Sequence, residues 1–209
     1  MDFGHPLRAV TPTLDGDVLM VLAGADEGFS GRRIHQLLDR GSEQGVRKAA
    51  ERLVEQGVVL RRQVGRAKVY RLNRQHVAAS HIEGLAGLRG ELLRRLRAAL
   101  DGWEVSPSLA LLFGSAARGG AGPGSDLDLF LVRPANVEED SRVWTEQLAT
   151  LERDATDWTG NDARIVEFGE SELFVGALEG VVDEALSNGI DLYGSRRRFR
   201  RSIKDQKRS

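Results

Sequence analysis

Apolar residues along the first third of the chain recur at the three- to four-residue spacing of amphipathic helices. This spacing predicts three short helices, over residues 14–23, 30–39 and 42–56. Ser30 and Ser42 are suitable N-caps for the second and third helices. A glycine follows each segment where the backbone is expected to need a positive φ, at Gly24, Gly41 and Gly57.

A hairpin and a buried sheet follow these helices in the pattern. Two β-type runs, residues 58–62 and 67–72, flank a turn around Gly65. The leucines of residues 81–101 have the spacing of one amphipathic helix, which we expect to link two domains and to cover a sheet. Further elements are then predicted in alternation: strand 109–113, a glycine-rich loop, strand 126–132, helix 138–158, strand 163–168, helix 170–187 and strand 190–193.

The composition is that of a folded globular protein. The chain has 209 residues, of which 41% are hydrophobic and 29% charged, and we expect two domains. It has neither the roughly 18 consecutive apolar residues of a membrane span nor the features of a secretory signal, so we expect a cytoplasmic protein without a membrane partner. Without cysteine there is no disulfide, thiolate zinc site or cysteine nucleophile, and the four scattered histidines disfavour a metal site built from histidine. Catalysis would therefore rest on carboxylates.

Charge is distributed unevenly along the chain. Residues 1–80 carry 13 Lys and Arg against 9 Asp and Glu, residues 81–190 carry 9 against 20, and residues 191–209 carry 8 against 2. This asymmetry indicates a basic head suited to a polyanion, an acidic middle suited to cations, and a basic tail. For the tail, nucleic-acid contact and an ordinary solvated surface are both open.

Helices followed by a basic hairpin resemble the winged helix–turn–helix family over about residues 11–75. The resemblance implies that the helix at 42–56 enters the major groove of duplex DNA while the hairpin touches the backbone. Winged helices also serve as dimerisation or protein-docking modules, and a homodimer would match a symmetric DNA site. The DNA-contacting residues implied are Arg47, Lys48, Arg61, Arg62, Arg66 and Lys68.

Two carboxylates, Asp126 and Asp128, share one face of a strand that is otherwise apolar. Adjacent buried anions repel each other, and a divalent cation such as Mg²⁺ removes that cost. Before them, the turn at Gly114 and Ser115 offers backbone N–H groups and a hydroxyl to an anion. The glycine loop fits neither a P-loop nor a dinucleotide fold, because no Lys-Ser/Thr follows it and it leads into a strand.

The run Gly114–Gly119 (GSAARG) followed by Ser125–Asp128 (SDLD) resembles the DNA polymerase β-like nucleotidyltransferase superfamily, in particular its minimal branch. The resemblance implies that Gly114 and Ser115 hold the β- and γ-phosphates of a nucleoside triphosphate such as ATP. It further implies that the two aspartates bind two Mg²⁺ ions, or Mn²⁺ in their place. Arg118 and Ser125 complete the implied nucleotide site, although an exposed surface role is equally open for Arg118.

Active members of that superfamily usually have a third acid on a later strand, as a metal ligand or as the base. Glu167 is the only acid within the predicted strand 163–168, and it faces the two aspartates if the register permits. A solvent-facing glutamate is the alternative. Asp162 is a weaker candidate, because its position next to Asn161 is typical of a turn.

These resemblances together imply an α+β fold in three parts. A winged helix–turn–helix (residues 1–78) precedes a nucleotidyltransferase-type mixed β-sheet with flanking helices (79–193), and a basic tail follows (194–209), for which disorder is one alternative. The first functional hypothesis is an autoregulated nucleotidyltransferase of the toxin–antitoxin type, acting on a small molecule, an RNA or a partner protein. The others are a DNA-binding regulator with a nucleotide-sensing or inactive domain, and a nucleic-acid-tailing enzyme.

Overall fold

A computed structural model describes residues 1–38, 40–120, 122, 124–174 and 179–206. The chain divides into two compact units. The first consists of Asp2 and Gly4–Arg89, and the second of Met1, Phe3 and Gly90–Ser209. The division falls later than the expected boundary at residue 78, because Ile82 and its neighbours pack into the core of the first unit.

The first unit combines helices with an antiparallel sheet. After a 3-10 turn at Pro6–Ala9, its helices are α1 (Leu14–Ala23), α2 (Gly31–Leu37), α3 (Glu43–Glu55) and α4 (Ala79–Ala86). Its strands are β1 (Phe29–Ser30), β2 (Val59–Val64) and β3 (Ala67–Leu72), in the spatial order β1-β3-β2. The helices and the hairpin predicted from the apolar spacing are thus confirmed to within two residues at most ends.

Capping residues define the helix ends largely as predicted. Ser30 and Ser42 each accept a hydrogen bond from a backbone N–H in the first turn of α2 and α3, at 3.2 and 3.1 Å. Gly41 and Gly57 have φ of +84° and +74°. The expectation of a positive φ was wrong for Gly24, where φ is −77°, because its N–H still bonds to a carbonyl of α1 in the helical sense.

A buried carboxylate ties the first unit together. Asp17 on α1 is 1% exposed and accepts hydrogen bonds from Arg8 Nε at 2.8 Å and Arg40 Nε at 2.7 Å. Around it, the apolar faces of α1, α2, α3 and the sheet form a continuous core that includes Leu22 and Tyr70. The two arginines neutralise a charge that would otherwise be costly to bury.

The single helix predicted over residues 81–101 is two helices. Helix α4 ends at Ala86 and is capped by Gly87, whose N–H bonds to the carbonyl of Glu83, and α5 (Leu88–Asp101) begins at the next residue. The leucine spacing continues across this break, which explains why the periodicity predicted one helix. Its two parts serve different cores: Ile82 packs into the first unit, and Leu92 and Leu96 into the second.

The second unit is built on a mixed sheet. In the described chain its strands are β4 (Leu109–Leu112), β5 (Leu127–Arg133), β6 (Ala163–Gly169) and β7 (Ile190–Tyr193), in the order β6-β5-β4-β7. Strand β4 is antiparallel to β5 and β7, whereas β5 and β6 are parallel. The helices of this unit after α5 are α6 (Gly114–Arg118), α7 (Arg142–Thr159), α8 (Glu179–Asn188) and α9 (Arg196–Gln206).

The two faces of this sheet carry different cores. On one face Leu127, Leu129 and Leu131 of β5 pack against the leucines of α5 and α7. On the other face Phe130 and Val132 pack against α8. Because side chains alternate between the two faces of a strand, the position of each polar residue on β5 and β6 decides which of the two cores it lies beside.

The basic tail is helical over α9. Phe199 of α9 packs beside the core of the Phe130 face, so the expectation of disorder was wrong for Arg196–Gln206. Residues 207–209 lie outside the described residues. Within the described ranges, no helix combines the length and apolar character that crossing a bilayer requires.

Candidate functional site

The candidate site begins where β4 ends. All residues of β4 are buried, and the chain then turns at Gly114, which has φ of +67° and starts the short helix α6. The N–H of Phe113 donates to the carbonyl of Asp128 at 3.0 Å. The end of β4 is therefore fastened to β5 at one of the two predicted aspartates.

The turn leaves no room for a side chain beside this aspartate. A Cβ at position 114 would overlap Asp128 Oδ2, and the positive φ independently favours glycine. The bare backbone of Gly114 consequently lies directly against the Asp128 carboxylate. Ser115 follows in the first turn of α6.

The two aspartates are close enough to affect each other electrostatically. Burial raises the pKa of Asp128, the negative charge of Asp126 raises it further, and the positive charge of Arg164 opposes both. Asp126 lies one residue before β5 and Asp128 lies within it, half-buried. A cation between them would remove their repulsion.

Arg164, which the sequence analysis did not select, completes this cluster. Its Nη1 lies 2.8 Å from Asp126 Oδ2, and its position on β6 is paired in register with Asp128 on β5. Its Nε donates to Asp162 Oδ2 at 3.1 Å. Asp162, the weaker candidate for the third acid, is therefore bound to Arg164. Alternation along the predicted strand 163–168 puts Arg164 and Glu167 on opposite faces. If Glu167 does not face the aspartates, Arg164 must, and this was the signal in the sequence that could have identified Arg164.

Glu167 does not join the aspartates. The parallel register pairs it with Leu131, on the face opposite to that of Phe130, and its Oε1 accepts a hydrogen bond from Arg133 Nε at 2.7 Å. Arg133 also donates to the carbonyl of Val137 at 2.7 Å. The expectation that Glu167 faces the aspartates was therefore wrong, because the register between β5 and β6 turns it to the other side of the sheet.

Arg118 at the end of α6 is engaged with a helix of the same unit. Its guanidinium forms an ion pair with Glu184 on α8, and its side chain is 55% exposed. The charges of Glu184 and Arg118 both act on Asp128, in opposite directions. Arg118 is thus adjacent to the cluster but already partnered by a carboxylate.

Ser125 shapes the loop that precedes the aspartates. Its Oγ accepts a hydrogen bond from the N–H of Gly122 at 3.0 Å, and its carbonyl accepts one from Asn161 Nδ2 at 2.8 Å. Asn161 is 1% exposed, and it holds this loop in place; the sequence analysis read it only as part of a turn. Residues 121 and 123 of the loop lie outside the described residues.

The donor set at this site fits one divalent cation. Mg²⁺ characteristically takes one or two protein carboxylates and completes its shell with water and phosphate oxygens, which Asp126 and Asp128 satisfy. Among the side chains that the structure describes, no group of three or more His, Cys, Asp or Glu is placed to hold a metal. The second ion implied by the family resemblance would need a further carboxylate ligand. The side chain beside Asp126 is Arg164, which is positively charged.

Four of the six predicted DNA-contacting residues line one cleft of the first unit. This cleft, of roughly 950 Å³, lies between α3 and the β2–β3 hairpin, and Arg47, Lys48, Arg66 and Lys68 are among its lining residues. Arg47 pairs with Glu43 along α3. In the ranges described, no ion pair is recorded for Lys48, Arg62 or Arg66.

A single acid on α3 holds two cations of the hairpin. Glu51 accepts hydrogen bonds from Arg61 Nη1 at 2.6 Å, Lys68 Nζ at 2.8 Å and the Tyr70 hydroxyl at 2.9 Å. These contacts, that of Lys68 first, lower the pKa of Glu51, whereas burial and the hydrogen bond to Glu51 raise the pKa of Tyr70 to about 12. The cleft is therefore basic at its edges and internally neutralised at Glu51.

Comparison with known proteins bears on the second unit. Residues 93–192 match the family model described as Nucleotidyltransferase domain, a range that contains Gly114, both aspartates and Arg164. No curated protein matches the chain.

Solved structures match over about half of the chain. A mutant of the toxin–antitoxin MntA-HpeT matches with a TM-score of 0.41 and 14% identity, over 56% of this chain and 86% of that one. A toxin–antitoxin with AMP-PNP matches with a TM-score of 0.38 and 17% identity, over the same shares. A second MntA-HpeT mutant has a TM-score of 0.35 and 19% identity, over 56% and 81%.

Proposed function

We propose that the second unit is a nucleotidyltransferase, which moves a nucleoside monophosphate from a triphosphate, ATP first among them, to an acceptor hydroxyl. The observation that carries this proposal is the Asp128 carboxylate held directly against the bare backbone of Gly114, with Asp126 close enough to act on it electrostatically. The match of residues 93–192 to the nucleotidyltransferase family model supports it.

In this proposal each part of the cluster has a distinct task. Asp126 and Asp128 hold Mg²⁺, which supplies charge neutralisation at the phosphate oxygens. Gly114 and Ser115 bind the β- and γ-phosphates, and Ser125 keeps the preceding loop closed. The acceptor oxygen bonds to the α-phosphorus as the bond to the bridging oxygen breaks, pyrophosphate leaves, and the hydroxyl proton of the acceptor passes to solvent water.

Two residues that the sequence predicted to act at the site have different roles in this proposal. Glu167 is assigned no part in the transfer, because its carboxylate is bound to Arg133 on the other side of the sheet. Arg118 contacts phosphate only if it exchanges Glu184 for the nucleotide, which an arginine at the surface can do at small cost.

Transfer of label from α-labelled ATP tests the proposed reaction. Asp126→Asn and Asp128→Asn should each reduce Mg²⁺-dependent transfer at least about a hundredfold, the loss typical when a group that stabilises transition-state charge is removed. Asp157→Asn, a matched change on the exposed side of α7, should leave transfer unchanged. Undiminished transfer in both site variants would refute the proposal.

The second candidate function is a DNA-binding regulator whose nucleotidyltransferase-like unit senses nucleotide or is inactive. Arg164 favours this reading, because a cation paired with Asp126 stands where an active site would gain from a third carboxylate. This alternative predicts that the wild-type chain binds nucleotide but transfers no label to any acceptor, whether a small molecule, an RNA or a partner protein.

We further propose that the first unit binds duplex DNA as a winged helix, with α3 in the major groove and the β2–β3 hairpin on the backbone. Lys48 and Arg66 line the cleft, Arg62 is exposed on β2, and none of the three forms an ion pair in the described ranges. These three charges support the proposal because they are available to contact phosphate. An autoregulated system of the toxin–antitoxin type would use both units in one chain.

The salt dependence of DNA binding tests this second proposal. In a plot of log affinity against log salt concentration, Arg66→Ala should reduce the slope by about one, because one phosphate contact is lost. Arg94→Ala changes a cation already bound to Glu91 on α5 and serves as the control. Fluorescence anisotropy at several salt concentrations measures both slopes. A DNA affinity that does not change with salt concentration would contradict the predicted phosphate contacts.

A further inference from the structure

Arg164 places a permanent positive charge inside the proposed nucleotide site, and the transfer chemistry above gives it no role. Its guanidinium is 2.8 Å from Asp126 and belongs to the residue paired with Asp128 across the parallel strands. With 61% of its side chain exposed, the guanidinium is reachable by a ligand that enters from solvent.

This charge changes how many cations the aspartates can accept. A guanidinium stays protonated in proteins, so Arg164 and the three carboxylates of Asp126, Asp128 and Asp162 together carry a net charge of −2. An ion bound beside Asp126 would lie next to this guanidinium and be repelled by it. Asp128 is different, because its carboxylate lies against the backbone of Gly114 and forms no ion pair within the described residues.

We infer that the site binds one divalent cation instead of two, held chiefly by Asp128, and that Arg164 supplies the second positive charge toward the triphosphate. The planar guanidinium suits this task, because it can donate two parallel hydrogen bonds to phosphate oxygens. The part that concerns the triphosphate rests on the proposed function, whereas the number of ions bound by the free protein does not.

Counting bound Mn²⁺ by the electron paramagnetic resonance signal of the free ion tests the inference on the full-length protein without nucleotide. The wild type should bind one Mn²⁺ per chain. Arg164→Asp adds the missing carboxylate and should bind two, and Arg164→Gln should bind one about tenfold more tightly, since a neighbouring positive charge is removed. Arg153→Asp, with 64% of the native side chain exposed on α7, makes the same charge change elsewhere and should match the wild type.

A second measurement separates a role toward phosphate from a structural one. At saturating Mn²⁺, Arg164→Gln should bind α,β-methylene ATP about tenfold more weakly, although it binds the ion more tightly, and Arg164→Lys should recover part of the loss. A residue that merely supported the fold would weaken both ligands together. Thermal unfolding confirms that each variant folds, and if Arg164→Asp does not, Arg164→Gln decides.

The inference is overturned if the wild type binds two Mn²⁺ or none, or if Arg164→Gln leaves both the ion and the nucleotide affinities at wild-type values. Its failure is distinct from failure of the proposed function. A chain that binds one Mn²⁺ and transfers no label refutes the transfer alone, and one that binds two and transfers label refutes this inference alone.

Discussion

The lack of a side chain at Gly114 determines how closely the backbone approaches Asp128. Gly114 has no Cβ, and this lets the backbone after β4 run against the Asp128 carboxylate with φ of +67°. The burial of Asp128 then raises its pKa, so this acid gains more from a bound cation than an exposed aspartate would. A change at residue 114 should accordingly disturb the acid as well as the turn.

Gly114→Ala is expected to abolish binding of a non-hydrolysable triphosphate and to lower the free energy of unfolding by about 1–3 kcal/mol, because the new methyl group meets Asp128 in a strained backbone conformation. Isothermal titration and urea denaturation measure the two effects. Gly90→Ala is the control, since a Cβ there meets open space within α5 and should be neutral or stabilising. Triphosphate binding by Gly114→Ala at wild-type affinity would show that the turn is not the phosphate site.

Among the elements, α3 and the β2–β3 hairpin are joined by a contact that would compete with the proposed DNA binding. Glu51 of α3 holds Arg61 and Lys68 of the hairpin, and thus occupies two of the six cations predicted to contact DNA. The hairpin gains a fixed position relative to α3 from this contact. The same contact withholds two positive charges from any phosphate backbone nearby.

Glu51→Gln should therefore bind duplex DNA more tightly, with a salt slope steeper by about one to two, because up to two more cations can contact phosphate. Glu55→Gln removes the same charge from the same helix without releasing a hairpin cation, and serves as the matched control. Anisotropy titrations at several salt concentrations distinguish the two. Equal affinities in the two variants would mean that Glu51 does not restrain the hairpin cations.

In the molecule as a whole, the C-terminal helix belongs to the second unit. Helix α9 is strongly basic, yet Phe199 packs against the core on the sheet face that carries Phe130. The arginines around it remain at the surface, where Arg196 reaches the carbonyl of Ser187 at 3.0 Å. One apolar side chain thus anchors a segment whose composition predicted only charge.

Phe199→Ala should lower the free energy of unfolding of the full-length protein by about 1–3 kcal/mol, as expected for truncation of a partly buried aromatic ring. Arg198→Ala, an exposed neighbour on α9, should change it by less than about 0.5 kcal/mol. Urea denaturation followed by circular dichroism measures both. If the two variants prove equally stable, α9 contributes nothing to the folded core.

Local spacing was sufficient to predict the helices of the first unit, the hairpin, the separate strands of the second unit and the glycine turn that precedes the two aspartates. Each depends on residues that are close along the chain, so periodicity and glycine positions carry the information. The facing of Glu167 and Arg164 depends instead on how β6 pairs with β5 across the intervening helix α7. Because a shift of one residue exchanges the two faces of a strand, no local pattern chooses between them. The packing of both sheet faces determines the register. It places the guanidinium of Arg164 beside Asp126 and turns the carboxylate of Glu167 to the other face.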